Sequence, residues 1–442
     1  MDKTFRIDID RRRFLQAITI FCLTSSSLQA ARSPTATDTS LKDPLWGLSD
    51  AEQRRLKRLF DLGLLEITPV ARAQAGSESK HLGWPVATRL PTGHVILLHR
   101  RAAGHTDKPQ ASTDGHYILR SDTNGSFEQS QPSRLGPLPG MHCIGHVSRE
   151  DGSTRVVAIT SGQLRQVYLS DDLGVHWTLS EQALDGMLQG AVHCGPRMIN
   201  HPTFGLLTCF GQETSGRRGF LLRSTDAGET WEQRTWLNTA NARSVEPAMA
   251  TWGPGHLVMI SREWNAEFAT TPNGYYAHTQ HVYKYTPGQS FQSVSFTTQR
   301  TNIIGNPAAG LSCHDTAEVI FNPVSKRLEM LQSHRWGGGP GRTGQQLAEN
   351  AENEISSLNL WSINPDDLLA GSADWRFDGT IIERIGYSRS GNRDGLHPGG
   401  SVINLIDGTQ DIYVYAGWRR TPSSLYLIKR TLNTDKWRAA SM

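Results

Sequence analysis

Arg223-Ser-Thr-Asp-Ala-Gly-Glu-Thr-Trp231 combines a polar turn with a closing aromatic residue. The apolar run that starts at Phe220 leads into it, as is typical of a β-strand. Asp226 can hydrogen-bond within its own turn, and Gly228 adopts positive φ at no steric cost, so the stretch predicts the tip of a β-hairpin. Trp231 favours extended backbone, and its indole can fold over the base of the hairpin.

The same plan recurs in six segments from about residue 81 onward. Each segment has two apolar strands joined by a turn, then a third strand that ends in a polar turn and an aromatic residue. Four-stranded repeats of this length are typical of β-propellers, one repeat per blade, so we expect an all-β, six-bladed β-propeller. The closing aromatics are Phe127, Trp177, Trp231, Phe291, Trp375 and Trp437. The opening strands are predicted to begin near Gly83, Met141, Val192, Val245, Ser312 and Leu396.

We divide the chain into an export signal (1–31), a leader with a short helix (32–79) and the propeller (80–442). Ser49 and Glu52 have the spacing of a capping box, which predicts the start of the helix, and Gly63 predicts its end. The run 64–70 is predicted to be a strand. Because it precedes the repeats, it would close the propeller by joining the last sheet.

The N-terminal segment has the pattern of a targeting signal. Arg11-Arg12-Arg13-Phe-Leu15 precedes the apolar run 17–23, and small residues follow with a cleavage site near Ala30. This resembles a twin-arginine-type signal peptide; the alternative is a basic membrane anchor that stays in place. We therefore expect a periplasmic or secreted protein with no membrane span after signal cleavage.

The composition of the chain limits the classes of partner that we expect. With 45 basic and 42 acidic residues the formal charge is only +3, so nothing favours nucleic acid as a partner. Four of the five cysteines lie outside the signal and would face an oxidising compartment. Cys194 and Cys209 flank the turn at His201 symmetrically, which predicts a cross-strand disulfide.

The residues Ser224, Asp226, Gly228, Thr230 and Trp231 resemble the Asp-box (BNR repeat) of the sialidase superfamily. A second copy, from Ser170 to Trp177, lacks only the second hydroxyl residue. The resemblance covers roughly residues 80 to 440 and implies a six-bladed propeller. It also implies that the Asp-box lies on an outer hairpin, away from the active site.

In a propeller the starts of the inner strands converge on one rim of the central channel, where we expect the site. Titratable and aromatic side chains are concentrated at these positions. They are Trp84, His142, Cys143, His193, Cys194, Glu246, Cys313, His314, Asp315 and His397.

The sialidase resemblance implies roles for some of these residues. Glu246 matches the glutamate that polarises the nucleophile, and Arg262 matches an arginine that grips the substrate carboxylate. Asp107 lies where the general acid is expected. The family binds the substrate carboxylate with further arginines, the third of which would be Arg335 or Arg342.

Two positions depart from the family pattern. Gly83 stands where the first carboxylate-binding arginine is expected. The opening strand of the sixth segment reads His397-Pro-Gly-Gly-Ser401 and contains no tyrosine nucleophile. Tyr387 lies upstream and would reach the site only through a long loop.

Three functions remain open. A glycoside hydrolase would pair Glu246 with a second carboxyl group. A polysaccharide lyase would use a neutral histidine as base, Tyr275 or Tyr276 as acid and Arg262 as partner of a uronate carboxylate. The third is a non-catalytic glycan-binding propeller. Candidates for the second carboxyl group are Asp107, Asp315, Glu213 and Glu263, and candidates for the base are His142, His193 and His314.

The expected partner is an acidic oligosaccharide or polysaccharide, with Trp84 and His397 also contacting it. We predict no cofactor. The pairs His142-Cys143, His193-Cys194 and Cys313-His314 leave a weaker alternative of a zinc or copper site.

Overall fold

The structure is a computed structural model. It describes residues 48–73, 81–104, 112–137, 142–160, 165–180, 184, 187, 192–195, 197–212, 218–238, 244–263, 278–303, 317–334, 355–385, 396–417 and 423–441. The predicted export signal lies outside the described residues.

The described chain begins with helix α1 (Asp50–Asp61), followed by strand β1 (Leu65–Ala71). Ser49 caps α1, because its hydroxyl accepts a hydrogen bond from the Glu52 backbone N–H at 3.1 Å. The Glu52 carboxylate does not complete the capping box. Instead it holds Arg55 and accepts the backbone N–H of Glu383, which anchors the helix to an outer strand.

The remaining strands form blades in chain order. Blade 1 contains β2 (His81–Arg89), β3 (Val95–Ala102), β4 (Gly115–Arg120) and β5 (Ser133–Gly136). Blade 2 contains β6 (His142–Ser148), β7 (Thr154–Thr160), β8 (Gln166–Ser170) and β9 (Thr178–Ser180). Blade 3 contains β10 (Val192–Cys194), β11 (Ile199–His201), β12 (Gly205–Gln212), β13 (Arg218–Ser224) and β14 (Glu232–Asn238). Blade 4 contains β15 (Ser244–Trp252), β16 (His256–Glu263), β17 (His278–Tyr283) and β18 (Thr297–Arg300).

Blade 5 contains β19 (Ala317–Asn322), β20 (Arg327–His334), β21 (Ile355–Ile363) and β22 (Arg376–Ile385). Blade 6 contains β23 (Val402–Asn404), β24 (Thr409–Ala416) and β25 (Ser424–Thr431), with β1 as its outermost strand. Short helices α2 (Pro365–Leu369) and α3 (Thr434–Ser441) and a 3₁₀ turn (Phe291–Ser293) complete the described elements. None of the helices in these ranges has the length and apolar character needed to cross a bilayer.

The six sheets confirm the predicted six-bladed propeller. Each blade contacts its neighbours in the chain, and blade 6 contacts blade 1, so the ring is closed. β1 pairs with β25, which confirms the prediction that the strand before the repeats joins the last sheet. Opening strands begin where predicted in blades 1 to 4. The predicted strand start near Leu396 was wrong. A turn, in which the Ser401 N–H donates to the Pro398 carbonyl, comes first, and β23 begins only at Val402.

The Asp-box between β13 and β14 is a hydrogen-bonded fastener. The Ser224 hydroxyl donates to Asp226 and accepts the Gly228 N–H, both at 2.8 Å. The Trp231 indole N–H donates to the Gly228 carbonyl at 3.2 Å. A Cβ atom on Gly228 would come within 2.9 Å of the Val157 side chain in blade 2, so the box also packs one blade on the next. It lies at the third-to-fourth strand turn, on the outer part of the blade.

Candidate functional site

The inner strands of blades 1 and 4 share one irregularity. The β2–β3 pairing skips Trp84 and Pro85, and the β15–β16 pairing skips Glu246 and Pro247. Trp84 and Glu246 both have φ 49°, in the left-handed region. This conformation costs a residue with a side chain about 1–2 kcal/mol. Proline has no N–H to lose from the ladder, so a bulge is accommodated there.

These two residues lie on opposite sides of the channel. Two blades separate blade 1 from blade 4 in either direction around the ring. Both residues stand near the start of an inner strand, at the rim predicted to form the site, and both side chains are half-buried. Among the described non-glycine residues, the others with positive φ are in turns: Leu173, Ala227 and Lys326.

The strand register places Arg262 beside Glu246. Arg262 on β16 pairs with Val245, the residue before Glu246, and also with His278 on β17. His278 is fully buried. The side chain of Arg262 is outside the described part, so the structure fixes only the position of its backbone.

Aromatic rings surround Trp84 at the boundary between blades 1 and 6. Its ring centroid lies 5.3 Å from that of Tyr415, 5.4 Å from His81 and 6.4 Å from His397. The guanidinium of Arg100 stacks on the indole at 4.2 Å. His397 is 2% exposed and stacks on Tyr415. The structure thus brings Trp84 and His397 together, with His397 packed inside the cluster.

Two buried histidines, His142 and His116, lie next to this cluster and contact each other. His142 Nε2 lies 2.6 Å from the Trp84 carbonyl oxygen, and His142 Nδ1 lies 2.9 Å from His116 Nδ1. Burial lowers the pKa of His142 to about 3, although the Trp84 carbonyl opposes this effect. Burial, the neighbouring His142 and Arg100 lower the pKa of His116 well below its usual value. Both imidazoles are therefore neutral near pH 7.

The missing first-blade arginine has a steric explanation. A Cβ atom on Gly83 would lie 2.6 Å from Cε1 of His81, so the imidazole occupies the space that any larger residue would need. Arg100 is the strand partner of Gly83 on β3. A fully buried cation therefore lies at the paired position on the adjacent strand.

A buried ion pair joins blades 3 and 5. Glu318 on β19 is fully buried, and its Oε1 lies 3.0 Å from Arg197 Nε of blade 3. Its other oxygen accepts the Gly400 N–H of blade 6. Burial raises the pKa of Glu318 to about 7, with Arg197 opposing the rise. Beyond Arg197 the channel opens into a cavity of about 570 Å³ lined by all six inner strands.

Several predicted site residues lie outside the described residues: Asp107, Tyr276, His314, Arg335 and Arg342, as do the alternatives Glu213, Tyr275, Asp315 and Tyr387. His193 on β10 pairs with Gly211, but its side chain, like those of Cys194 and Glu263, is not described.

The predicted disulfide was wrong. The register places Cys194 opposite Phe210 rather than Cys209. Cys209 is a free thiol whose sulfur lies 3.6 Å from the Pro247 carbonyl oxygen. Within the described part of the chain, no three His, Cys, Asp or Glu residues are grouped so that they could hold a metal ion.

Comparison with solved structures places this architecture among sialidase-like six-bladed β-propellers. No protein-family model and no curated protein matches the sequence. The NanB sialidase of Streptococcus pneumoniae superposes with a TM-score of 0.53 at 12% identity, covering 83% of this chain and 71% of that one. The α-L-arabinanase of Penicillium chrysogenum gives 0.51 at 11% identity, covering 83% and 98%.

A third similar structure is the α-L-arabinofuranosidase of Fusarium graminearum, with a TM-score of 0.52, 11% identity and coverage of 83% and 97%. These neighbours are glycoside hydrolases, so the fold is one that such enzymes use. At this level of identity the similarity establishes the fold alone.

Proposed function

We propose that this protein is an exported carbohydrate-active enzyme, a sialidase-like glycoside hydrolase that acts on an acidic glycan. The observation that carries the proposal is the left-handed backbone of Glu246 at the channel rim, opposite Trp84 in the same conformation. Backbone strain of this kind persists where the surrounding structure enforces it, and it is concentrated at functional sites. The sequence pattern at residues 11–15 supports export.

We assign one carboxyl group and one sugar-binding residue to the rim. Glu246 provides a carboxylate that can act on the scissile bond directly or through a nucleophile, and Trp84 provides an aromatic face for a sugar ring. Asp107 remains the predicted second carboxyl group. The positive charge of Arg100 beside Trp84, and the position of Arg262 beside Glu246, favour an anionic substrate.

The geometry at His142 disfavours a lyase that uses this residue as its base. Its low pKa keeps the imidazole neutral, as a base requires, but both ring nitrogens are engaged and the residue is only 2% exposed. A substrate proton cannot reach either nitrogen without breaking one of these hydrogen bonds. His193 and His314 remain the alternatives for that reaction.

Incubation with sialosides and uronate polymers distinguishes the three functions. A hydrolase releases sugars or new reducing ends without ultraviolet absorbance from an unsaturated product. Appearance of that absorbance would contradict hydrolysis and identify a lyase. Binding without turnover of any substrate would contradict both and leave a glycan-binding propeller.

A further inference from the structure

We propose that His142 and His116 are positioning residues that hold Trp84 in its left-handed conformation and keep its indole in the cluster of rings between blades 1 and 6. The consequence for glycan binding rests on the proposed function; the positioning itself does not. His142 was predicted from the sequence as a catalytic base. Its contacts assign it instead to the backbone of a substrate-binding residue.

The hydrogen-bond partners determine the tautomers of both rings. A carbonyl oxygen only accepts, so His142 Nε2 carries the proton that it donates to Trp84. In the neutral ring His142 Nδ1 is then an acceptor, and His116 Nδ1 must donate to it. This leaves His116 Nε2 without a proton, and it has no hydrogen-bond partner among the described residues. His116 in blade 1 thus donates to His142 in blade 2, which donates to Trp84 in blade 1.

The bulge explains why Trp84 needs this support. The β2–β3 register skips Trp84 and Pro85, so the ladder is irregular at this carbonyl. Loss of the hydrogen bond from His142 to this partly buried carbonyl would cost about 0.5–1.5 kcal/mol, in addition to the cost of the positive φ. His142, the first residue of β6, supplies the donor from the neighbouring blade. Blade packing and the direction of Trp84 are thus coupled through one hydrogen bond.

The surroundings keep the pair neutral. His142 and His116 are 2% and 0% exposed, and the charges of Arg100 and His99 also lower the pKa of both. A proton added to His142 would place N–H groups on both facing Nδ1 atoms, only 2.9 Å apart. A proton added to His116 would bind at Nε2, where the N–H would be buried with no hydrogen-bond partner among the described residues. The donation to Trp84 therefore persists across the neutral pH range.

The first test measures Trp84 directly and requires no activity. With 5-fluorotryptophan incorporated at all 12 tryptophans, the Trp84→Phe variant identifies the Trp84 resonance by ¹⁹F NMR. His142→Phe keeps the ring volume but removes the donor, and it should shift or broaden that resonance. His142→Gln places an amide N–H near the position of Nε2 and should restore it. An unchanged Trp84 resonance in His142→Phe would overturn the proposal.

A second measurement covers the case in which His142→Phe does not fold. In the ¹⁵N-histidine-labelled wild-type protein at pH 7, His142 should be protonated at Nε2 only and His116 at Nδ1 only. Any other tautomer pair, or a charged imidazole in either residue, would contradict the proposal.

Turnover of sialyllactose then tests the consequence for the substrate. His142→Phe should raise KM about tenfold and change kcat by less than about twofold, because the residue acts on binding through Trp84. His142→Gln should stay near the wild type. An equal loss of kcat in His142→Phe would contradict the positioning role. Absence of turnover in the wild type would refute the proposed hydrolase, while the two NMR tests would still decide the role of the histidines.

Discussion

Trp84 and Glu246 occupy equivalent bulges on opposed blades and share the same φ of 49°. Each precedes a proline, and the register of each inner strand shifts at these two residues. The repetition shows that the strain belongs to the architecture of the rim rather than to one residue. It also places Trp84 and Glu246 at opposed positions of the rim.

Substitution of Glu246 by glycine and by alanine isolates the backbone strain. Both variants remove the side chain, so the difference between them reports the backbone. At positive φ the glycine variant should be more stable than the alanine variant by about 1 kcal/mol. The free energy of unfolding in urea measures this difference. At Thr251, on the same strand with ordinary φ, glycine should be the less stable by about 0.5–1 kcal/mol. The same order at both positions would argue against strain at Glu246.

Restoration of a side chain at Gly83 should destabilise the protein. The Cβ of Gly83→Ala would lie 2.6 Å from His81, and overpacking of this kind costs about 1–3 kcal/mol. The double variant His81→Ala with Gly83→Ala removes the obstacle and should show less than the sum of the two single losses. Thermal unfolding of all four proteins measures the coupling. Additive losses would show that His81 does not exclude the missing arginine.

Loss of the Asp-box hydroxyl should affect stability and not activity. Ser224 is buried and makes two hydrogen bonds, so Ser224→Ala should lower the free energy of unfolding by about 1–2 kcal/mol. The neighbouring exposed residue provides a control, since Thr225→Ala should change stability by less than about 0.5 kcal/mol. A change in kcat for Ser224→Ala without loss of stability would contradict the structural role of the box.

Glu318 should make stability depend on pH. Its pKa is raised from 4.5 to about 7, so the folded protein binds the proton more tightly than the unfolded chain does. Its contribution to the free energy of unfolding therefore falls as the pH rises from 4.5 to 7, by ~3 kcal/mol at most, and is constant outside that window. Unfolding of the wild type and of Glu318→Gln at several pH values isolates this slope. A wild type that gains stability over the window relative to the variant would contradict the assignment.

The fold could be predicted because its evidence is local and repeated. A hairpin tip such as Ser224 to Trp231 depends on residues within a few positions of one another, and its recurrence gives the blade count. The second copy of the Asp-box, from Ser170 to Trp177, is more complete in the structure than its sequence indicates. His176 replaces the missing hydroxyl, since its Nδ1 lies 2.6 Å from Asp172. In blade 6 a helix follows the degraded box, because β1 already supplies the fourth strand.

The site could be predicted only in part. Trp84 and Glu246 stood out because each lies near the start of a predicted inner strand, and Glu246 also because it matches a glutamate of the sialidase pattern. Arg100, His116 and Arg197 act through contacts between strands or blades, which depend on register and on the bulges. The run His99-Arg100-Arg101 at the end of an apolar strand, and the single charge of Glu318 within another, were signals in the sequence. Neither indicates by itself which blade it contacts.

The most direct test of the hydrolase proposal is turnover by Glu246→Gln. This change keeps the size of the side chain and removes its charge, so the protein should fold with the wild-type melting temperature. Hydrolysis of a sialoside should fall about a thousandfold or more, a loss of ~4 kcal/mol in transition-state stabilisation. Glu128→Gln, at an exposed position on blade 1, should retain full activity. Full hydrolysis by Glu246→Gln would contradict the assignment of Glu246 and with it the proposed site.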